Sequence, residues 1–93
     1  MKIGFTIQAY KDYEEIFKKL NDVNPQIAEE FDEKLDWIFK TLPKFPELGR
    51  MVPERMNPQL REILWKNYRI VYQITHEMIE IITIFSGRRQ LSF

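Results

Sequence analysis

Apolar residues change their period along this chain, and each change marks a structural element. Residues 2–7, KIGFTI, form a short β-prone run weakened by Gly4. From Ala9 the period lengthens. Ala9, Tyr13, Ile16, Phe17 and Leu20 recur at helical spacing, while Lys11, Glu14, Glu15, Lys18 and Lys19 fall on the opposite face. The stretch NDVNP ends this helix and begins another. Asn24 is a good N-cap, and Pro25 suits the first helical position, where no backbone N–H is needed. The spacing predicts a second helix from about Pro25 to Leu42. Its stripe is Ile27, Phe31, Leu35, Ile38 and Leu42, widened by Trp37 and Phe39. Glu29, Glu30, Asp32 and Glu33 lie in its first half, where the helix dipole favours anions. So short a break between two helices makes a helical hairpin.

A proline-rich stretch follows, PKFPELGRMVPERMNPQ, which reads as a loop of about 17 residues. Loops beyond about 12–15 residues are uncommon in compact domains and are often functional. Met51 and Met56 lie in it, placed to cover the core or to serve as a flexible contact surface. Three β-rich runs come next: LREILWK (60–66), YRIVYQIT (68–75) and MIEIITIF (78–85). The predicted fold class is α+β in the order β-α-α-β-β-β. An N-terminal strand and a helical hairpin precede a three-stranded antiparallel meander, with the hairpin on one face of the sheet. The chain reads as a single domain over residues 1–93, without repeats or linkers.

A two-residue turn at His76-Glu77 fixes a register for the last two strands. It pairs Tyr68 with Phe85, Ile70 with Thr83, Tyr72 with Ile81 and Ile74 with Ile79 on a nearly all-apolar face that would lie under the helices. The other face carries Arg69, Val71 and Gln73, and there Arg69 is expected on an open surface.

Composition supports one folded core, with 44% apolar residues and thirteen aromatics. No cysteine is present, which excludes disulfides and thiolate chemistry, and one histidine is poor material for a transition-metal site. Neither a metal nor a cofactor is expected. No apolar run is long enough for a membrane span, and MKIGFTIQAYKDYEE lacks the pattern of a signal peptide, so a cytoplasmic location is expected.

The zero net charge conceals a division. Residues 1–47 hold seven Lys against ten acids and no Arg, a net −3. Residues 48–93 hold six Arg and one Lys against four acids, a net +3. Arginine is a planar fork suited to phosphate and carboxylate. Arg61, Arg69, Arg88 and Arg89 belong to the sheet or its exit and make a candidate anion or target-binding site. The structural alternative is that they cap carbonyls and pair with Glu62 or Glu80. His76, on a turn tip, reads as exposed and idle.

The ordered series PELGRMVPE, LREI, YRIVYQI and IEIITIFSGRR resembles the RelE/ParE superfamily of type II toxin–antitoxin toxins. The resemblance spans essentially the whole chain, with the Pro25 hairpin matching its early part. It implies a small α+β toxin that arrests growth and is neutralised by an antitoxin encoded beside it, which folds on binding. Aromatics are enriched among binding hot spots, and on that ground Tyr10 and Trp37 are candidate antitoxin anchors. Trp37 as plain core is the alternative.

Two branches of the superfamily differ in target. RelE-like members are ribosome-dependent mRNA endoribonucleases. In that pattern Arg69 and Arg89 match the strand and post-strand arginines, and Glu54 is a general base by analogy. ParE-like members share the fold, lack the nuclease set and poison DNA gyrase. The chain departs from the nuclease pattern in two places. LREIL offers only Arg61 where RelE has a lysine pair, and QLSF ends at Phe93 without a terminal Tyr. A pI near 6.6 is also low for a protein that grips RNA phosphates. The ParE-like branch fits better.

Overall fold

The computed structural model describes residues 1–87. Strand β1 (Lys2–Phe5) leads into helices α1 (Ile7–Val23) and α2 (Pro25–Thr41). Strands β2 (Arg50–Met51), β3 (Leu60–Trp65), β4 (Tyr68–Ile74) and β5 (Met78–Ser86) follow. The expected β-α-α-β-β-β order is present with one addition, the two-residue β2 inside the stretch read as loop. The sheet runs β1-β5-β4-β3-β2, antiparallel except that β1 lies parallel to β5. Among the described residues no helix is long and apolar enough to cross a membrane.

Side chains set the helix ends. Thr6 caps α1 by accepting a hydrogen bond from the Ala9 N–H at 3.1 Å. Asn24 serves both helices: its N–H closes α1 on the Leu20 carbonyl, and its Oδ1 accepts from the Gln26 N–H to open α2 at Pro25. One residue thus satisfies orphan groups of two helices, which is why the hairpin needs no further loop. Tyr13 of α1 donates to Asp32 of α2 at 2.7 Å across the hairpin. Burial, then the Asp32 carboxylate, push the Tyr13 hydroxyl up to about 12.

The main core lies between the hairpin and the sheet. Ala9 and Ile16 of α1 and Phe31, Leu35 and Ile38 of α2 pack on Ile70 and Tyr72 of β4 and on Ile79, Ile81 and Ile84 of β5. Rings run through it in sequence: Phe5 on Tyr13 at 6.1 Å, Tyr13 on Phe31 at 5.8 Å, Phe31 on Trp65 at 5.2 Å and Trp65 on Tyr68 at 6.2 Å. These contacts join β1, α1, α2, β3 and β4, each pair adding about 0.5–1.5 kcal/mol beyond the area it buries.

The register expected for β4 and β5 holds for Tyr72 with Ile81, Gln73 with Glu80 and Ile74 with Ile79. It then shifts by one residue at a bulge, so that Ile70 faces Ile84 and Arg69 faces Phe85. The reason is burial. An unbulged ladder would set Thr83 opposite Ile70, whereas the extra residue brings Ile84 there and buries it. Helix α1 satisfies the interrupted ladder, since the Asp12 carboxylate accepts from the Ile84 N–H at 3.0 Å and the Thr83 hydroxyl at 2.7 Å. Thr6 adds its N–H to the Ile81 carbonyl.

The sheet's second face is not open. The segment from Gly49 to Gln59 folds back across it, and Val52 is buried there with Leu60 and Val71, beside Ile82 and Phe85. Tyr72 fixes where this segment starts. Its hydroxyl donates to the Pro46 carbonyl at 2.6 Å and accepts from the Gly49 N–H at 2.9 Å. A Cβ at Gly49 would stand 2.7 Å from the Glu62 carbonyl oxygen and 2.8 Å from the Tyr72 ring and hydroxyl. Gly49→Ala should therefore lower unfolding stability by about 1–3 kcal/mol, the usual cost of forcing extra volume into packed structure. Chemical denaturation measures it.

Candidate functional site

Arg69 is the centre of the face that the sequence marks for anion binding, and it is buried, 7% exposed. The covering segment brings Glu54 over it. The guanidinium donates through Nη1 and Nη2 to the two Glu54 oxygens at 2.8 and 2.7 Å, and through Nε to Glu62 Oε1 at 2.7 Å. Its plane sits over Phe85, 5.1 Å from the ring centre. The other Glu62 oxygen accepts from Arg50 Nε at 2.7 Å. Glu62, on β3, is 1% exposed, so its charge depends on these two arginines. Hydrogen bonds to Glu54, and then to Glu62, outweigh the opposing effect of burial and hold Arg69 protonated well above its ordinary range.

The expected open face for Arg69 is therefore corrected. In β4 it does point away from the helices, as the alternation requires, but the proline-rich segment closes over it. The alternative reading, a pairing with Glu62, describes its surroundings. Arg61 is also engaged. Its Nε donates to the Pro58 carbonyl at 2.8 Å, and Nη1 donates to the carbonyls of Glu47 and Gly49 at 3.3 and 3.0 Å. The structure thus brings Glu54 and Arg69 together on the sheet face away from the helices, whereas Arg61, paired with Tyr72, falls on the helix side and ties the backbone of the preceding loop to β3. Glu62, named from the sequence as a pairing partner, and Arg50, which the sequence did not single out, complete the network. Their signal was the excess of charged residues on strands whose neighbours are apolar. Arg88 and Arg89 lie outside the described residues.

The two candidate anchors occupy different surroundings. Tyr10, on the first turns of α1, is half exposed and touches Phe5 and Tyr13 by its ring edge. Trp37, on α2, is 44% exposed and carries Lys34 Nζ over its ring at 4.3 Å. It lies at the border of the core, since its neighbour Ile38 takes the fully buried position. A shallow groove runs between α2 and the β2–β3 edge, lined by Lys34, Trp37, Leu48, Gly49, Arg50, Glu62, Ile63 and Leu64. Trp37, Leu48 and Leu64 are all exposed there. Because β2 pairs only with Arg61 and Glu62, the outer edge of Ile63–Trp65 has no further strand beside it among the described residues, and Ile63 and Leu64 of that edge line the groove. The same residues include no cluster able to hold a metal ion.

The geometry is that of a small sheet closed on both faces, with an apolar groove and a free strand edge on its flank. Among solved structures, the chromosomal ParDE TA system from P. aeruginosa contains a chain with the same fold. The TM-score is 0.71 at 18% identity, covering 92% of this chain and 95% of that one. No match is found among curated proteins. The family model described as the ParE toxin of the type II toxin–antitoxin system parDE matches residues 3–91. A match over nearly the whole length means that this chain belongs to the ParE toxin family.

Proposed function

We propose that this toxin arrests growth by inhibiting DNA gyrase in the cytoplasm, without cutting RNA. The observation that supports this reading is the state of Arg69. A nuclease of the RelE pattern needs that arginine free to meet phosphate and developing charge. Here its donors meet two carboxylates, and the pair is largely removed from water. Glu54 is engaged through both oxygens with the same guanidinium, which leaves it poorly placed as a base. Arg61 holds backbone carbonyls. Arg88 and Arg89, which follow Gly87 just past β5 in sequence, belong to the proposed gyrase contact.

The antitoxin, on this reading, lays an extended segment against the Ile63–Trp65 edge and seats an apolar side chain beside Trp37. Strand addition supplies backbone hydrogen bonds, and the groove supplies side-chain selectivity. Lys34 and Arg50 on the rim favour a segment carrying carboxylates. Tyr10 is a second proposed anchor, away from the groove.

Three measurements check this function. Purified protein at micromolar concentration is expected to inhibit gyrase supercoiling and to leave translated mRNA intact in primer extension after induction. Active gyrase alongside position-specific mRNA cuts would instead establish the nuclease. Arg69→Ala should cost about 3–5 kcal/mol of unfolding stability, because it takes the bidentate partner from Glu54 and leaves the buried Glu62 with Arg50 as its one arginine. An unchanged thermal midpoint would show that Arg69 is not a structural ion pair. Trp37→Ala should keep the fold and weaken the complex with the protein encoded next door at least about 30-fold, as truncation of an aromatic hot spot does. Size exclusion of the co-expressed pair, followed by titration, reads it.

A further inference from the structure

Arg50 is held on one side by the chain and presented to solvent on the other. Its Nε and Nη2 both donate to one oxygen of Glu62, at 2.7 and 2.6 Å. The Glu62 side chain is 0% exposed, whereas that of Arg50 is 54% exposed. A guanidinium carries five N–H donors in a rigid plane, and Glu62 takes only its inner edge. Both Glu62 oxygens are engaged, one by Arg50 and one by Arg69. The groove's one carboxylate is therefore spent, and the charge left facing the groove is that of Arg50 and Lys34.

The strand edge beside Arg50 fixes how a ligand lies there. The Val52 N–H donates to the Leu60 carbonyl, and Arg50 stands opposite Glu62, so Leu60, Glu62 and then Leu64 turn their backbone groups toward β2. Strand β2 ends its pairing at Glu62, and Leu64 is the next position in that row. An added strand bonds at Leu64. Alternation then sets its side chain at that position on the face of Glu62 and Arg50, and the adjoining side chain on the helix face, beside Ile63 and Trp37.

We propose that Arg50, oriented by Glu62, is the specificity determinant of this edge and selects an extended antitoxin segment in which an aspartate or glutamate adjoins an apolar residue. The carboxylate takes the outer donors of Arg50, and its apolar neighbour seats beside Trp37. The inference rests on the toxin–antitoxin reading above and adds the chemistry that chooses the partner. Charge complementarity carries it, because the exposed charges of the groove are both positive and the contact it lacks is an acceptor. Arg50 would then lie between two carboxylates, as Arg69 does between Glu54 and Glu62. Glu62 is a positioning residue: it holds the fork in one orientation, so binding orders no long side chain. A nucleic acid fits worse, since the edge offers backbone pairing and the walls are apolar.

The test co-expresses the chain with the product of the neighbouring reading frame and measures affinity, thermal midpoint and growth arrest. Arg50→Lys keeps the charge and loses the fork, so it should hold the midpoint and weaken binding at least about threefold. Arg50→Glu should weaken it at least about tenfold. Lys2→Glu makes the same charge change on β1, at the far edge of the sheet, and sets the background. An antitoxin acid that adjoins an apolar residue, changed to lysine, should reproduce the loss and recover at least about fivefold in affinity against Arg50→Glu, which a merely structural role of Arg50 does not produce. If Arg50→Glu lowers the midpoint, Arg50→Lys decides. Binding by Arg50→Lys equal to the wild type, or the absence of any acid that restores Arg50→Glu, overturns this inference alone. Unchanged antitoxin binding with lost growth arrest assigns Arg50 to the target and also overturns it. A wild-type pair that elutes separately overturns the antitoxin reading and this inference with it.

Discussion

A guanidinium taken out of water between two carboxylates determines how this chain closes. Transferring Arg69, Glu54 and Glu62 from solvent is costly, and their attraction offsets that cost only when the geometry is good and the remaining donors are satisfied. Here it is good. Arg69 bonds through Nε, Nη1 and Nη2, and the second oxygen of Glu62 is taken by Arg50. No buried side-chain polar atom among the described residues lacks a partner. Well-packed apolar residues often stabilise about as much as such a network, whereas removing one member of it is costly. The placement of the proline-rich segment that satisfies all four charges also carries Val52 onto Val71 and Leu60.

On the opposite face the constraint is mainly apolar, and a polar exception shows how the layers agree. The β5 bulge moves Ile84 into the core and interrupts the ladder. Asp12 and Thr6, at the start of α1, take up the affected groups. The helix is thus located by hydrogen bonds to the strand as well as by Ile16 and Ala9. Alternation along YRIVYQI and MIEIITI made the register from Tyr72 to Ile74 legible. The bulge was not legible, because an inserted residue leaves no local mark in a run of isoleucines. Its compensating carboxylate lies about 70 positions away in sequence.

Elements fixed by local chemistry were readable: the Asn24-Pro25 junction, the α2 stripe and the three long strands. The candidate site was readable in its membership and misread in its exposure. Arg69 does face away from the helices, as the pattern required. What covers it is a segment whose prolines announced only a loop, and β2 has too few residues to show a period. Whether an arginine meets solvent or Glu54 depends on that tertiary return of the chain, which spacing within a strand cannot encode. Trp37 shows the converse. It widens a helical stripe that suggests core, yet it is 44% exposed because Ile38 beside it takes the interior position; Tyr10, off its stripe, is 51% exposed.

The groove and the covering loop are joined through that same charge network. Arg50 and Glu62 line the groove. Glu62 holds Arg69, and Arg69 holds Glu54 of the covering loop. Each member therefore fixes its neighbour's orientation, and their contributions are not separable. Removing Arg50 leaves Glu62 with Arg69; removing Glu54 leaves Arg69 with Glu62; removing Arg69 leaves the buried Glu62 with Arg50 and takes the bidentate partner from Glu54; removing Glu62 leaves Arg69 with Glu54. Residues sharing one hydrogen-bonded network show interaction energies of about 0.5–3 kcal/mol beyond additivity. The flank that offers a strand edge and the loop that covers Arg69 consequently rest on one support, which is a stronger constraint on substitutions at positions 50, 54, 62 and 69 than the contacts of any one of them.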